Sequence, residues 1–452
     1  MKNILLMTVA AFAAAEVSAA VPEVEVTEVD QNEQRVVTVG YTLSAPAVVT
    51  VDFLTNGVSL MTFESRPTGD VGWVATAGSK TIAWRPRKEL PSGLELKDVT
   101  VRVEAYSSAR QPDYMVVDPA TGWQRFYATS NDVPGGVLAN EDYRGKYLLL
   151  RRIPAAWKEV VLGKPHANWD GTGNKTRRVR HAVMLTNDFY MTVFPVTRGQ
   201  LAQAYGWTKA TDDPYTGQGD KTTHWRLRPA EGMGYEDIRG GVSSDEIDWP
   251  TTGDRVATGS ILGKFRDNTG LLFDLPTDAQ YEIACRGGIE NADFYCGGFD
   301  WRDATAATLA GRIGWYKDNW AGDPLKPVSA TSASFTHVVG QKEPNPYGLY
   351  DLCGNVRSLC RDWWMDQPGT AKDGYVPQYY EPAGPTKEQA ELVGGIYRRV
   401  SHSCHYNEAL DLMQTVSRNP ETPTKKGSGG GASYIGFRMV CPALYGGRIL
   451  AQ

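Results

Sequence analysis

The feature that most constrains the fold is a change of texture about a quarter of the way along the chain. From Val21 to about Tyr106 apolar and polar residues alternate: Val24 and Val26; Val37, Val39, Tyr41 and Leu43; Val49, Val51 and Phe53; Val99, Val101 and Val103. A period of two sends successive side chains to opposite faces, so each run reads as a strand with one buried face. Turn signals such as Asn56-Gly57 separate the runs. Short strands at this spacing predict a small all-β sandwich over residues 21–107.

The sandwich is expected to be immunoglobulin-like or fibronectin-like, a module that spaces or presents its neighbour. Residues 108–145 are polar and turn-rich, with Pro134-Gly135-Gly136, and read as a connecting segment. From residue 146 to 442, Gly, Trp and Tyr scatter among short strands, long loops and few helical runs, which predicts an α+β domain with few regular elements. One helix is well signalled. Thr277 and Gln280 form a capping-box pair, and the run Asp278 to Arg286 opens with an acid and closes with a base before Gly287-Gly288. Residues 443–452 read as a tail.

The 452 residues are 41% hydrophobic, enough for two folded units. A formal charge of -5, with Lys and Arg dispersed, excludes the electrostatic footprint of a nucleic-acid-binding protein. Met1-Lys2-Asn3, the apolar run Ile4 to Ala15 and the small residues ending at Ala19-Ala20 have the order of a signal peptide over residues 1–20. No other stretch is apolar for the roughly 18 residues a membrane helix needs, so no transmembrane segment is expected. The chain is therefore read as exported: periplasmic, cell-surface or secreted. All six cysteines, Cys285, Cys296, Cys353, Cys360, Cys404 and Cys441, lie in the second half, and an oxidising compartment makes disulfides their first reading. Their connectivity is not fixed by sequence. No Cys-x-x-Cys, G-x-S-x-G, H-E-x-x-H or P-loop occurs, which removes the zinc-ribbon, common hydrolase and nucleotide-binding readings.

Four segments stand out, in order: Val183 to Met191 with Phe194-Pro195-Val196-Thr197; Phe273 to Glu282 with Ala284-Cys285-Arg286-Gly287-Gly288; Val339-Gly340-Gln341-Lys342 with Asn345 to Asp351 and Gly354-Asn355-Val356; and Ile435 to Val440. Together they resemble the formylglycine-generating, or sulfatase-modifying factor, family. The resemblance covers residues 146–442 and implies a C-type-lectin-like fold whose surface groove presents loops to an extended partner: a protein, peptide or glycan.

The family's oxidases hold reduced copper with two cysteines a few residues apart, since two soft thiolates suit Cu(I). Here the corresponding segment, Arg399 to Asn407, offers Cys404, and no cysteine occurs between His405 and Arg418, so copper is not expected. Cys404 is the one candidate catalytic residue. His402, Cys404 and His405 form an alternative metal set, but in a strand His402 and Cys404 share a face while His405 points away. The family's calcium loop is matched at Asp351, Gly354, Asn355 and Val356, which leaves Asp351 and Asn355 as candidate calcium ligands. Arg357 and Ser358 replace the Trp and Glu that follow, removing a carboxylate and adding an adverse charge. The family's iron-dependent sulfoxide synthases draw ligands from a helical appended domain, whereas this appended domain reads as β and has no histidine before His166.

Trp315, Trp320, Trp363 and Trp364 lie in loop-rich sequence, as does Trp301; they read as core packing or as an aromatic-lined binding groove. The function expected is an exported, non-catalytic binding protein on this fold; the alternative is a divergent oxidase or metal-dependent enzyme of the same family. The resemblance further implies a disulfide between Cys360 and Cys404. N-terminal sequencing of protein from its native host should begin at Ala20 or Val21, and an intact Met1 would refute the leader.

Overall fold

The alternating runs of the first hundred residues form antiparallel ladders. The computed structural model describes residues 21–86, 90, 99–163, 180–208, 224–241, 247–289, 305–326, 335–366, 376–424 and 434–443. Cys296 and Trp301 lie outside these residues. Two units are distinguished: one takes the chain up to Leu60 and Ser65–Gln111, the other takes Met61–Glu64 and Pro112–Ala443.

In the first unit the strands are β1 (Val24–Gln31), β2 (Val37–Leu43), β3 (Ala47–Thr55), β4 (Val58–Ser59), β5 (Thr68–Gly69), β6 (Gly72–Val74), β7 (Gly78–Trp84) and β8 (Val99–Tyr106). One sheet has the order β1-β2-β7-β5, and in the other β3 pairs with β4, β6 and β8. Val39, Tyr41 and Leu43 of β2 and Val49, Val51 and Phe53 of β3 are buried, as period two requires. Phe53 stacks on Trp84 at 4.4 Å, joining a residue of each sheet. β1 departs from the alternation. It lies at the edge of its sheet, its register shifts between Val26 and Glu28, and Val26 and Val29 are exposed.

The second unit mixes helix and sheet. Its strands are β9 (Tyr114–Val117), β10 (Gln124–Tyr127), β11 (Leu148–Ile153), β12 (Lys158–Leu162), β13 (His181–Leu185), β14 (Phe189–Thr192), β15 (Arg357–Trp363), β16 (Leu392–Val393), β17 (Ile396–Tyr397), β18 (Arg399–His402), β19 (Arg418–Glu421), β20 (Ile435–Phe437) and β21 (Val440–Pro442). The helices are α1 (Asp142–Gly145), α2 (Arg198–Tyr205), α3 (Tyr235–Arg239), α4 (Ile261–Thr269), α5 (Asp278–Arg286) and α6 (Ala306–Ile313). A five-stranded sheet runs β10-β9-β11-β14-β21, and a four-stranded sheet runs β19-β18-β15-β20 with β15 and β20 parallel. The segment read as a connection, 108–145, thus supplies two strands of the five-stranded sheet and α1.

Helix α5 starts and stops where its sequence dictates. The Thr277 hydroxyl accepts from the Gln280 amide at 3.1 Å, the Gln280 side chain accepts from the Thr277 amide at 3.0 Å, and Gly287 ends the helix at φ 64°.

Short strands and long loops leave many buried carbonyls without a ladder partner, and such groups must be satisfied. Arginine does this repeatedly. Arg438 donates to the carbonyls of Thr192 and Val193 at 2.9 and 3.2 Å, and also to that of Tyr350. Arg399 donates to Trp249 and Arg361 carbonyls, Arg418 to Met365 and Arg361 to Leu275. Around Asp274 the charges are matched within the core. Burial alone would raise the Asp274 carboxyl, but Arg361, Arg239 and Arg266 hold it below its usual value. Replacing Arg438 with Lys should destabilise the protein by about 1–3 kcal/mol for each carbonyl left without a donor, because one ammonium does not reproduce the guanidinium fork. Denaturant titration checks this, and an unchanged midpoint would refute it.

Candidate functional site

Strand β18 sits between β15 and β19, with His402 opposite Ser358 on one side and Arg418 on the other. Its four residues are all buried. His402 is bound through Nε2 to the Asp278 carboxylate at the start of α5, and its ring stacks on Tyr281 at 4.7 Å. The other Asp278 oxygen pairs with Arg418 Nε at 2.9 Å. His402 therefore belongs to a buried ion network.

The alternation expected through Cys404 stops at Ser403, which takes φ 77°. A left-handed residue reverses the local path, so parity no longer tells which way the next side chains point. Ser403 is held there by its own amide on the Ser417 carbonyl at 3.1 Å and by its hydroxyl, which accepts from Gly354 N–H at 2.9 Å. Cys404 enters the core and is fully buried, and burial pushes its thiol well above the ordinary range.

His405 leaves the core and stacks on Tyr434 at 4.1 Å. Its Nδ1 accepts from the Asn407 amide at 3.2 Å, which places the proton of the neutral ring on Nε2, 3.6 Å from Glu408. Glu408 pairs with Arg357, which also reaches Glu421 at 2.8 Å. Arg357, the residue read as adverse in a calcium loop, is thus neutralised by two carboxylates and lies over the Tyr434 ring. This polar cluster at the end of β18 joins residues from four separate stretches of sequence. Sequence reasoning missed Glu408, Glu421 and Tyr434, since no local spacing links them.

The two candidate calcium ligands are already engaged. Asp351 and Asn355 have φ 53° and 66°. Asp351 Oδ2 accepts from Gly340 N–H at 2.8 Å, and burial raises its carboxyl. The Asn355 amide clasps the His337 backbone, accepting from its N–H at 2.9 Å and donating to its carbonyl at 3.0 Å. His337, also missed, holds the Asp323 carboxylate through Nδ1 at 2.7 Å and stacks on Trp315 at 4.2 Å.

The tryptophans are mostly interior. Trp315, Trp363 and Trp364 are each no more than 3% exposed, so as placed they offer a ligand no open face. Trp315 carries Lys342 at 3.7 Å from its ring centre, Trp363 carries Arg399 at 3.4 Å and donates to Asp248 at 2.8 Å, and Trp364 carries Arg418 at 4.9 Å. Trp320 is half-buried, edge-on to Phe335. Cys360 and Cys404 are not joined to each other, and Cys285 and Cys353 approach with sulfurs 3.8 Å apart.

The sequence matches the Sulfatase-modifying factor enzyme 1-like domain family over residues 159–443. The chain belongs to this family. It is similar to the formylglycine-generating enzyme of Mus musculus, 29% identical over 171 residues that make up 38% of this chain and 39% of that protein. It resembles that of Thermomonospora curvata at 29% over 178 residues, 38% of this chain and 50% of the relative. A serine/threonine-protein kinase pkn1 of Chlamydia pneumoniae is 24% identical over 286 residues, 62% of this chain and 37% of its own. The match thus spans half or less of the length of these relatives. Among solved structures, PvdO from Pseudomonas aeruginosa aligns with TM-score 0.43 and 18% identity over 65% of this chain and 94% of its own. Treponema denticola variable protein 1 aligns with TM-score 0.42 and 19% identity over 65% and 95%.

The donor set of this sulfatase-modifying-factor-like domain does not fit the copper of the oxidases. Cys404 is a buried, protonated thiol, His402 is bound to Asp278, and His405 has both ring nitrogens directed at protein groups. Among the described residues no three His, Cys, Asp or Glu side chains are placed to share an ion. Calcium fits no better at 351–356, because it needs about six to eight oxygens and the Asn355 oxygen is committed to His337.

Burial depresses His405 to about 4, with Arg357 acting in the same direction and Glu408 opposing. The folded chain keeps this ring neutral down to about 4, whereas the unfolded chain protonates it near 6.5. Its contribution is complete above about 6.5 and declines as pH falls toward 4, by on the order of 3 kcal/mol. His405→Gln should flatten that part of the stability profile in denaturant titrations from pH 7 to pH 4; an unchanged slope would exclude the assignment.

Proposed function

We propose that this chain is an exported binding protein that uses a C-type-lectin-like sulfatase-modifying-factor domain, carried by an immunoglobulin-like β-sandwich, to engage a protein, peptide or glycan. It does not carry out the copper-dependent oxidation of cysteine. The observation that carries this reading is the state of Cys404: one buried neutral thiol, followed by a stretch to Arg418 without a second cysteine. Cu(I) needs accessible thiolates, and a thiol held protonated in an apolar core is a poor ligand and a poor nucleophile.

The polar cluster around Arg357 supports the same reading. Arg357 pairs with both Glu408 and Glu421, and His405 is neutral in the physiological range, so the end of β18 offers hydrogen-bonding groups with an excess of one carboxylate. Such a set of groups suits recognition of a polar partner that presents hydrogen-bond donors.

Purified full-length protein incubated with Cu(I) and a cysteine-containing sulfatase-type peptide should retain no stoichiometric copper and return the peptide without aldehyde. Cys404→Ser should change neither readout. Stoichiometric copper with aldehyde formation, both lost in Cys404→Ser, would overturn the proposal in favour of the oxidase.

A further inference from the structure

We infer that Cys285 and Cys353 form the disulfide of this domain, in place of the Cys360–Cys404 pair that the family resemblance implies. The two sulfurs lie 3.8 Å apart, and both residues are buried. Cys285 is near the end of α5, and Cys353 follows Leu352 in the loop before β15. A disulfide needs about 2.05 Å between sulfurs, so the gap to close is roughly 1.8 Å, a distance within reach of side-chain rotation.

The two backbones are already registered against each other. One helical turn before Cys285, the Tyr281 hydroxyl donates to the Leu352 carbonyl at 2.9 Å. The Asn345 amide donates to the carbonyls of Ala284 and Cys285 at 2.7 and 3.2 Å. On the other side a Cβ at Gly314 would fall 1.8 Å from the Cys353 carbonyl oxygen, so that backbone is packed against glycine with no room to retreat. The contact between the sulfurs is therefore fixed by the fold rather than by two mobile side chains meeting.

The reaction is thiol–disulfide exchange. One cysteine thiolate attacks a disulfide-bearing oxidant, a protein disulfide carrier or glutathione disulfide, forming a mixed disulfide and releasing one oxidant thiol. The second cysteine thiolate displaces the other oxidant thiol and closes the Cys285–Cys353 bond. Two electrons pass to the oxidant, and the two protons lost from the cysteines end on its two thiols. Since both sulfurs are buried in the folded chain, the exchange takes place before α5 docks. This inference is independent of the binding function proposed above.

The test is peptide mapping of the full chain refolded in a glutathione redox buffer, alkylated in denaturant without reductant and then digested. The expected product is a cross-linked peptide containing Cys285 and Cys353, about 2 Da lighter than the two reduced peptides together. It should persist in Cys360→Ser and disappear in Cys353→Ser. In addition, a reductant should lower the melting temperature of the native chain and leave that of a Cys285→Ala, Cys353→Ala double variant unchanged. Alkylation of both residues, a Cys285–Cys296 or Cys360–Cys404 bond with Cys353 alkylated, or a soft metal ion retained between Cys285 and Cys353 would each overturn the inference.

Discussion

The second unit depends on buried arginine. A domain built from strands of two to seven residues cannot satisfy its interior carbonyls through ladders alone, and each one left unpaired costs about as much as a lost hydrogen bond. A guanidinium supplies five donors in one plane and stays charged, so it can join carbonyls from segments far apart in sequence. Arg438 links Thr192 and Val193 to Tyr350 in this way, and Arg399 links Trp249 to Arg361. Those charges need counter-ions in the same core. Asp248 supplies one for Arg399, and Asp274, Asp278 and Glu231 pair with Arg239, Arg418 and Arg198.

That network decides what β18 can do. Arg399 opens the strand against Trp363, and His402 closes it against Asp278, which Arg418 of β19 also contacts. A histidine so placed is a structural link between α5 and the four-stranded sheet. The residue types that suggested a metal site, a histidine and a cysteine two apart, are in this chain drawn into the core by separate demands: a hydrogen bond to Asp278 for His402 and apolar burial for Cys404.

The local signals in the sequence were legible where the structure is local. The capping box of α5, its left-handed glycine stop and the alternation of β2 and β3 each depend on a few adjacent residues, and they can be read directly. Three features were not legible because they depend on partners distant in sequence. Val26 has the spacing of a core residue but belongs to an edge strand. Ser403 has no sequence mark of a left-handed residue, and it is set there by Gly354 and Ser417, so the regular alternation of the strand ends at a point the sequence does not show. The tryptophans, read as core or groove, gave no local sign of the arginines and lysine that cover Trp315, Trp363 and Trp364.

The loop from Asp351 to Asn355 is held in shape by hydrogen bonds of the protein itself. Its path is fixed by unusual backbone angles at three positions. Asp351 and Asn355 are left-handed, and Gly354 at φ 108° passes so close to Trp315 that a Cβ there would fall 2.4 Å from the Trp315 carbonyl oxygen. Positive φ costs energy for a non-glycine residue, so it persists only where surrounding contacts determine it. Here those contacts are hydrogen bonds: Asp351 to Gly340, and Asn355 to both backbone groups of His337. With those loop oxygens engaged in protein hydrogen bonds, Arg357 turns to Glu408 and Glu421 in the cluster at the end of β18.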